Sequence, residues 1–269
     1  MDAYKSLGFI GAGNMSQAII TGLIANGYPA NKIFASNRSI EKLNLLQSQY
    51  NIHTSLDNEV IATQAEIIIL AVKPQVLPKV TEALKPVFAQ TKPLIISVAA
   101  GITIDKLAKY CGENLAIIRS MPNTPAAIQQ GITGLYANQW VNAEQHKLAE
   151  QIMGAIGQII WAKQEDDINK INAISGSGPA YFFYFMEALQ IAGEAIGLDP
   201  ETTNQLVLQT GLGAAMLAKK SDISFSQLRQ QVTSPGGTTE QALKVFEQQK
   251  LVEITEQAVQ ACLKKAQAF

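Results

Sequence analysis

Ile67-Ile68-Ile69-Leu70-Ala71-Val72 is an apolar run with no polar alternation. A strand with one face in water alternates, whereas a strand buried on both faces does not, so this run reads as a central strand of a parallel sheet covered by helices on both sides. Similar β-branched runs lie at Leu7 to Ile10, Lys32 to Ser36, Leu94 to Val98 and Leu115 to Arg119, with a weaker one near Ile52. Helical patterns separate them. Repetition of strand, helix and strand specifies an open α/β sheet.

After Trp161 the strand-like runs stop and helical patterns continue to the C-terminus. Breakers at Ser175-Gly176-Ser177-Gly178-Pro179, Gly197-Leu198-Asp199-Pro200 and Ser234-Pro235-Gly236-Gly237 divide this half into about five helices. A chain of 269 residues is long enough for two modest domains, an α/β domain over 1–163 and an all-α domain over 164–269. The stretch from Tyr181 to Leu198 is apolar almost all round, interrupted mainly by Glu187, Gln190 and Glu194 on one face. Such a helix is expected to be buried, and two small domains do not supply enough cover, which implies a homo-oligomer.

Hydrophobic residues make up 47% and charged residues 16%, which excludes a disordered chain. The 21 Lys and Arg balance 22 Asp and Glu to a net charge of -1, leaving no positive field to attract nucleic acid or an anionic membrane. Any anion must be caught locally. Cys111 and Cys262 stand far apart with no metal-ligand spacing, so neither a disulfide framework nor a metal site is expected, and a cytoplasmic location fits. The N-terminal residues pass directly into Lys5-Ser6-Leu7-Gly8, which argues against a signal peptide, and no apolar run approaches membrane-spanning length.

Gly11-Ala12-Gly13-Asn14-Met15-Ser16 follows the first strand and opens a helix running to about Asn26. This is the context of a dinucleotide fingerprint: Gly11 permits the tight turn, and Gly13 lets a pyrophosphate approach the N–H groups of the helix N-terminus. Ser16 stands at the third glycine position, where a small residue suffices for close packing. The second strand ends in Ser36-Asn37-Arg38-Ser39, with a cation where NAD-binding sites place an acid. Arg38 suits a 2′-phosphate, with Asn37 and Ser39 as neutral donors; a solvated Arg at a helix start is the alternative. Lys73-Pro74 and Ala99-Ala100-Gly101 follow later strands and face the same crevice in an open α/β sheet.

In the helical half, Ser234-Pro235-Gly236-Gly237-Thr238-Thr239 precedes a helix running to about Gln248. Exposed glycine N–H groups and three hydroxyls at the positive end of a helix suit a small carboxylate, although the same residues also serve as an ordinary cap.

These motifs together resemble the pyrroline-5-carboxylate reductase family, in order and over essentially the entire chain: FIGAGNM at 9–15, AVKPQ at 71–75, SVAAGI at 97–102, MPNTPA at 121–126, SGSGPAY at 175–181 and SPGGTT at 234–239. The resemblance implies an α/β Rossmann-type N-terminal domain followed by an all-α dimerisation domain, and reduction of 1-pyrroline-5-carboxylate to L-proline, the last step of proline biosynthesis. NADPH would be the hydride donor, with NADH a poorer one. Carried over by position, Ile10, Gly11, Ala12, Gly13, Asn14 and Met15 would hold the pyrophosphate, Asn37 and Arg38 the 2′-phosphate end, and Asn58 a further part of the cofactor. Ala71, Val72, Lys73, Pro74, Val98, Ala99 and Ala100 would flank the nicotinamide riboside. Ser234, Gly236, Gly237, Thr238 and Thr239 would bind the substrate, with Glu165 a weaker candidate and Thr238 at a variable position. Gln231 falls near the cofactor in the family pattern. By the same resemblance the helical domain would interlock with a partner subunit.

A protonated cyclic imine accepts hydride readily, so such an enzyme mainly orients its substrate. Thr239 is the candidate donor to the ring nitrogen, and no strong general acid is needed. His53 and His146, the only histidines, lie outside the motifs and read as structural. The rival readings are another Rossmann-plus-helical reductase working through an interdomain lysine such as Lys170, which would leave SPGGTT unexplained, and a non-catalytic NADPH-binding sensor.

Overall fold

The computed structural model describes residues 4–268. Contacts divide the chain into two units, one formed by residues up to Ser177 together with those from Cys262 onward, the other by Gly178–Ala261.

The first unit is built around a sheet whose strands are β1 (Leu7–Ile10), β2 (Ile33–Ser36), β3 (His53–Ser55), β4 (Ile67–Leu70), β5 (Leu94–Ser97), β6 (Ile117–Met121), β7 (Gly131–Ala137) and β8 (Gly157–Trp161). Its helices are α1 (Asn14–Ala25), α2 (Ile40–Tyr50), α3 (Asn58–Gln64), α4 (Leu77–Thr91), α5 (Ile104–Cys111), α6 (Ala143–Gly154) and α7 (Asp167–Ile171). The strand order is β3-β2-β1-β4-β5-β6-β7-β8. Alternate residues of the central strands enter two separate cores: Phe9, Ile69, Ile96 and Ile118 join one, and Ile10, Ile68, Leu70, Ile95 and Ile117 the other. Burying each of these side chains is worth about 1.5–3 kcal/mol, which is why the continuous apolar runs specify a sheet covered on both faces.

Three expectations need correction. The sheet is not wholly parallel, because β7 runs antiparallel to β6. Between them lies only a 3-10 turn, Thr124–Ile128, too short for the helical crossover that parallel neighbours require. The central strands also stop before their apolar runs do: β4 ends at Leu70 and β5 at Ser97, leaving Ala71, Val72 and Val98 half-buried at the strand ends. Finally, Ser175-Gly176 does not break the chain. Residues Asn172–Gly176 form a π-helical turn closed by the Ser177 N–H on the Asn172 carbonyl at 2.9 Å. Gly176 is required there, since a Cβ would lie 2.3 Å from Asn172 Oδ1 and 2.8 Å from Met121 Cε.

The second unit contains α8 (Gly178–Ala195), α9 (Pro200–Lys219), α10 (Phe225–Gln231), α11 (Thr238–Gln248) and the greater part of α12 (Leu251–Gln267). Helices α8 and α9 pack closely, with Gly193 against Thr203: a Cβ on the glycine would meet the threonine Cγ2 at 2.5 Å. Phe185 meets Phe246 across α8 and α11 with ring centroids 6.1 Å apart. Only Gly178 and Thr203 are buried in this unit. The helix expected to be buried is therefore open in the single chain, where Phe182, Phe183 and Tyr184 are 70%, 64% and 74% exposed. Among the described residues no helix is long and apolar enough to cross a membrane, and no cluster of three potential metal ligands occurs.

Candidate functional site

Strand order reverses at β1, whose neighbours β2 and β4 lie on opposite sides, and the crevice outside such a switch point is where open α/β sheets bind ligands. Gly11 stands at this point with φ +103. Its N–H donates to the Ser36 carbonyl at 3.0 Å, the neighbouring Ala71 N–H donates to the Ile10 carbonyl at 3.0 Å, and a Cβ on Gly11 would lie 2.8 Å from the Ala71 oxygen. Gly11 is thus demanded by the fold. Gly13 is not: it has an ordinary φ of -84, and a Cβ there would meet nothing within 4 Å. Its bareness leaves the N-terminus of α1 open to an approaching group. Ser16 does more than fill the third glycine position, since it is fully buried and its hydroxyl donates to the Gly11 carbonyl at 2.5 Å, bracing the turn.

Around this turn, Arg38 is exposed and has no ion-pair partner among the described residues, and Asn37 and Asn58 are half-buried. Ser39 is committed elsewhere: its hydroxyl donates to Glu41 at 2.6 Å and accepts from the Lys42 N–H at the start of α2. That removes it as a neutral donor to a phosphate. The hydrogen bond from Ser39 holds the Glu41 carboxyl below the usual carboxylate range. Lys73 is exposed in the turn entering α4, Pro74 follows it half-buried, Ala99 is buried and Ala100 half-buried after β5.

The sequence reading missed a buried cation. Arg119 in β6 is 3% exposed; its Nη1 lies 3.1 Å from Glu165 Oε1, and its Nη2 donates to Asn169 Oδ1 at 2.7 Å. The Ile104 N–H donates to the same Glu165 oxygen at 2.7 Å. Glu165 is therefore first a partner of β6 and α5. An arginine inside the apolar stretch Ile117-Ile118-Arg119 was the signal, because a buried guanidinium needs a carboxylate. Asn123 was missed too: it accepts from the Ile132 N–H at 2.9 Å and donates to the Ser175 carbonyl at 3.1 Å, tying the MPNTPA loop to the π-helical turn. Lys170 forms surface ion pairs with Asp166 and Asp167. His53 stacks on Phe34, and His146 lies against Trp161.

In the second unit, Gly236 takes φ +72, and Gly237 is the N-cap of α11 with no side-chain cap. Neither glycine amide is free. Gly237 donates to the Ser234 carbonyl within the turn at 3.0 Å, and Gly236 donates to Glu240 Oε2 at 3.0 Å. Ser234, Thr238 and Thr239 are exposed. Glycine caps without a side-chain hydrogen bond distinguish α1 and α11 from α2, α3, α5, α6, α9 and α10, which are capped by Ser39, Asp57, Thr103, Asn142, Asp199 and Ser224.

Comparison with known proteins accounts for both halves. Residues 165–269 match the family described as pyrroline-5-carboxylate reductase dimerisation, and residues 6–101 match that described as NADP oxidoreductase, coenzyme F420-dependent. A pyrroline-5-carboxylate reductase from Pseudomonas aeruginosa is 42% identical, over 97% of this chain and 95% of its own. A solved pyrroline-5-carboxylate reductase from Coxiella burnetii superposes with a TM-score of 0.93 at 48% identity, covering 98% of each chain. The Plasmodium falciparum enzyme, solved with NADP bound, gives a TM-score of 0.88 at 32% identity over 98% of this chain and 97% of its own. With a Rossmann-type first half, a helical second half and this likeness along its whole length, the chain belongs to the pyrroline-5-carboxylate reductase family.

Proposed function

We propose that this chain reduces 1-pyrroline-5-carboxylate to L-proline with NADPH, as the last step of proline biosynthesis. The observation that carries this reading is the pair of glycine-capped helix N-termini, on α1 and α11, where positive helix ends are left without a side-chain cap. One suits a pyrophosphate and the other a small carboxylate.

The residues fit the cofactor. Ile10 to Met15 form the turn whose bare Gly13 admits the pyrophosphate, Arg38 has a free guanidinium for the 2′-phosphate, and Asn37 and Asn58 add polar contacts. Ala71 to Pro74 and Val98 to Ala100 line the strand ends. When bound, NADPH supplies the hydride. Ser234, Gly236 and the first-turn amides of α11 hold the substrate carboxylate, while Gly237 shapes the turn. The Thr239 hydroxyl hydrogen-bonds the ring nitrogen, donating to its lone pair in the neutral imine and accepting from its N–H once solvent has protonated it, and so fixes the imine carbon in position. Orientation rather than strong acid catalysis is what these residues contribute. Thr238 adds a second hydroxyl. Glu165 acts near the substrate through the Arg119 pair that fixes it.

The functional division runs at 163/164, with cofactor residues before it and substrate and subunit contacts after it. The exposed apolar helices of the second unit support a homo-oligomer built from dimers through that domain. The balanced charge and the reduced, unpaired cysteines Cys111 and Cys262 support a cytoplasmic enzyme.

The test is purified protein with NADPH and either pyrroline-5-carboxylate or its six-membered homologue, followed at the nicotinamide absorbance band. Imine-dependent oxidation is expected, faster with the five-membered ring. Cofactor binding without it would instead establish a non-catalytic NADPH sensor.

A further inference from the structure

Glu240 lies in the first turn of α11, and one of its oxygens, Oε2, is shared by two donors: the Gly236 N–H at 3.0 Å and Lys244 Nζ at 3.2 Å. A carboxylate already stands on one amide of the turn assigned above to the substrate carboxylate. The contact is local and half-exposed, so it is weak, and an ion pair of this kind is worth at most about 1 kcal/mol. It is also easily moved. A cavity of about 250 Å³ beside it is lined by Glu240, Lys244, Arg229, Gln230, Thr233 and Glu247, among others, so when the side chain leaves Gly236 it has room to swing, with the cations Lys244 and Arg229 within the same lining.

Charge makes the two carboxylates exclusive. Two anions on neighbouring donors at one helix end repel each other, and a backbone N–H that donates to one is lost to the other. We propose that Glu240 is a built-in competitor at the substrate turn, an autoinhibitory contact that the substrate carboxylate displaces toward Lys244 and the adjoining cavity. The inference rests on the substrate role given to SPGGTT in the preceding section. Glu240 is a specificity-setting residue here, not a catalytic one: it raises the concentration of carboxylate needed to fill the turn and leaves ligands without a carboxylate unaffected.

The experiment compares wild type, Glu240→Ala and Glu240→Gln with pyrroline-5-carboxylate and with 1-pyrroline, the same ring without a carboxylate, together with the thermal midpoint of each protein. For Glu240→Ala the Michaelis constant for pyrroline-5-carboxylate should fall about 2- to 5-fold, the change equivalent to losing a contact of that strength, while kcat does not fall and the constant for 1-pyrroline does not move. Glu240→Gln retains an acceptor for the Gly236 N–H but no charge, so its Michaelis constant should fall by less. An unchanged or raised Michaelis constant in both variants, or an equal fall for the two ring compounds, overturns the proposal and leaves Glu240 as a helix brace. If Glu240→Ala folds poorly, Glu240→Gln alone decides. Failure of the wild-type protein to reduce pyrroline-5-carboxylate at all would count against the substrate reading itself.

Discussion

Arg119 Nη1 lies 3.1 Å from Glu165 Oε1, and the two residues come from β6 and from the segment just before α7. The arginine side chain is 4% exposed and the glutamate 26%, so the cation depends on this partner far more than the anion does. Removing the carboxylate strands a buried guanidinium and the Ile104 N–H together. Glu165→Ala should therefore lower unfolding free energy by about 2–4 kcal/mol in urea titration, somewhat under the figure for a fully buried pair because Glu165 is partly wet. Glu165→Gln keeps the acceptor oxygen and should cost less than half as much. Equal stability of the alanine variant would show that Arg119 finds water instead.

The two glycines of the first turn should separate fold from binding. Gly11→Ala places a Cβ 2.8 Å from the Ala71 oxygen at φ +103 and should destabilise by more than 1 kcal/mol. Gly13→Ala meets nothing within 4 Å and should leave the thermal midpoint unchanged while weakening NADPH binding at least tenfold. Loss of stability in both would mean that Gly13 is structural.

Arg38 is exposed and unpaired, so its contribution should appear only with a 2′-phosphate. A charge-assisted hydrogen bond of about 1.5–3 kcal/mol predicts that Arg38→Ala raises the Michaelis constant for NADPH roughly 10- to 100-fold and barely changes that for NADH. Salt should weaken NADPH more than NADH in the wild type. An equal effect on both cofactors would reassign the residue.

Thr239→Val retains shape and removes a donor. The expected loss in kcat/KM is about tenfold to a hundredfold, from an unmade hydrogen bond of about 1–3 kcal/mol, with NADPH affinity unchanged in the absence of substrate. A variant that works at the wild-type rate would leave Thr239 as a helix-start residue alone.

Glu66 stitches the starts of β1 and β4, accepting from Lys5 Nζ at 2.9 Å and from the Ser6 N–H at 3.1 Å. Burial raises its carboxyl, but the hydrogen bonds from Lys5 and Ser6 outweigh that and hold it below the usual range. Such a group stabilises the fold above its unfolded value, about 4.3, and loses that contribution as pH falls through the depressed folded value. The shift of Lys5 is upward, from its hydrogen bond to Glu66, so its share is lost only at high pH. Glu66→Gln should lower stability at neutral pH and flatten the acid limb of the stability curve, with the difference from wild type vanishing at low pH. A steeper acid limb would contradict this account.

What the sequence made legible was what periodicity and turn chemistry control. The run at Ile67, the fingerprint at Gly11 and the break after Trp161 each have one local physical solution, and the fold adopts it. β7 escaped because Gly131 and Gly134 interrupt its pattern for reasons of packing: a Cβ on Gly131 would strike the Ile156 oxygen, and one on Gly134 the Ile171 side chain. Its antiparallel course depends on a short connection that composition does not mark. The motif residues were legible, yet their partners were not. Glu165 bonds to Arg119 and Ile104, which only the folded chain brings near, while Ser39 and Gly236 bond to Glu41, Lys42 and Glu240 through local turn geometry that the residue types alone do not fix, and these bonds decide which donors remain for a ligand.

The second unit, where only Gly178 and Thr203 are buried, turns an ordinary rule of mutational tolerance around. Substitutions at exposed positions normally cost little. On the oligomer reading, Phe182, Phe183 and Tyr184 face a subunit instead of water, and truncating any one of them to alanine removes core rather than decoration. Folding of these helices then becomes a matter of protein concentration, and the thermal midpoint should climb as the enzyme is made more concentrated.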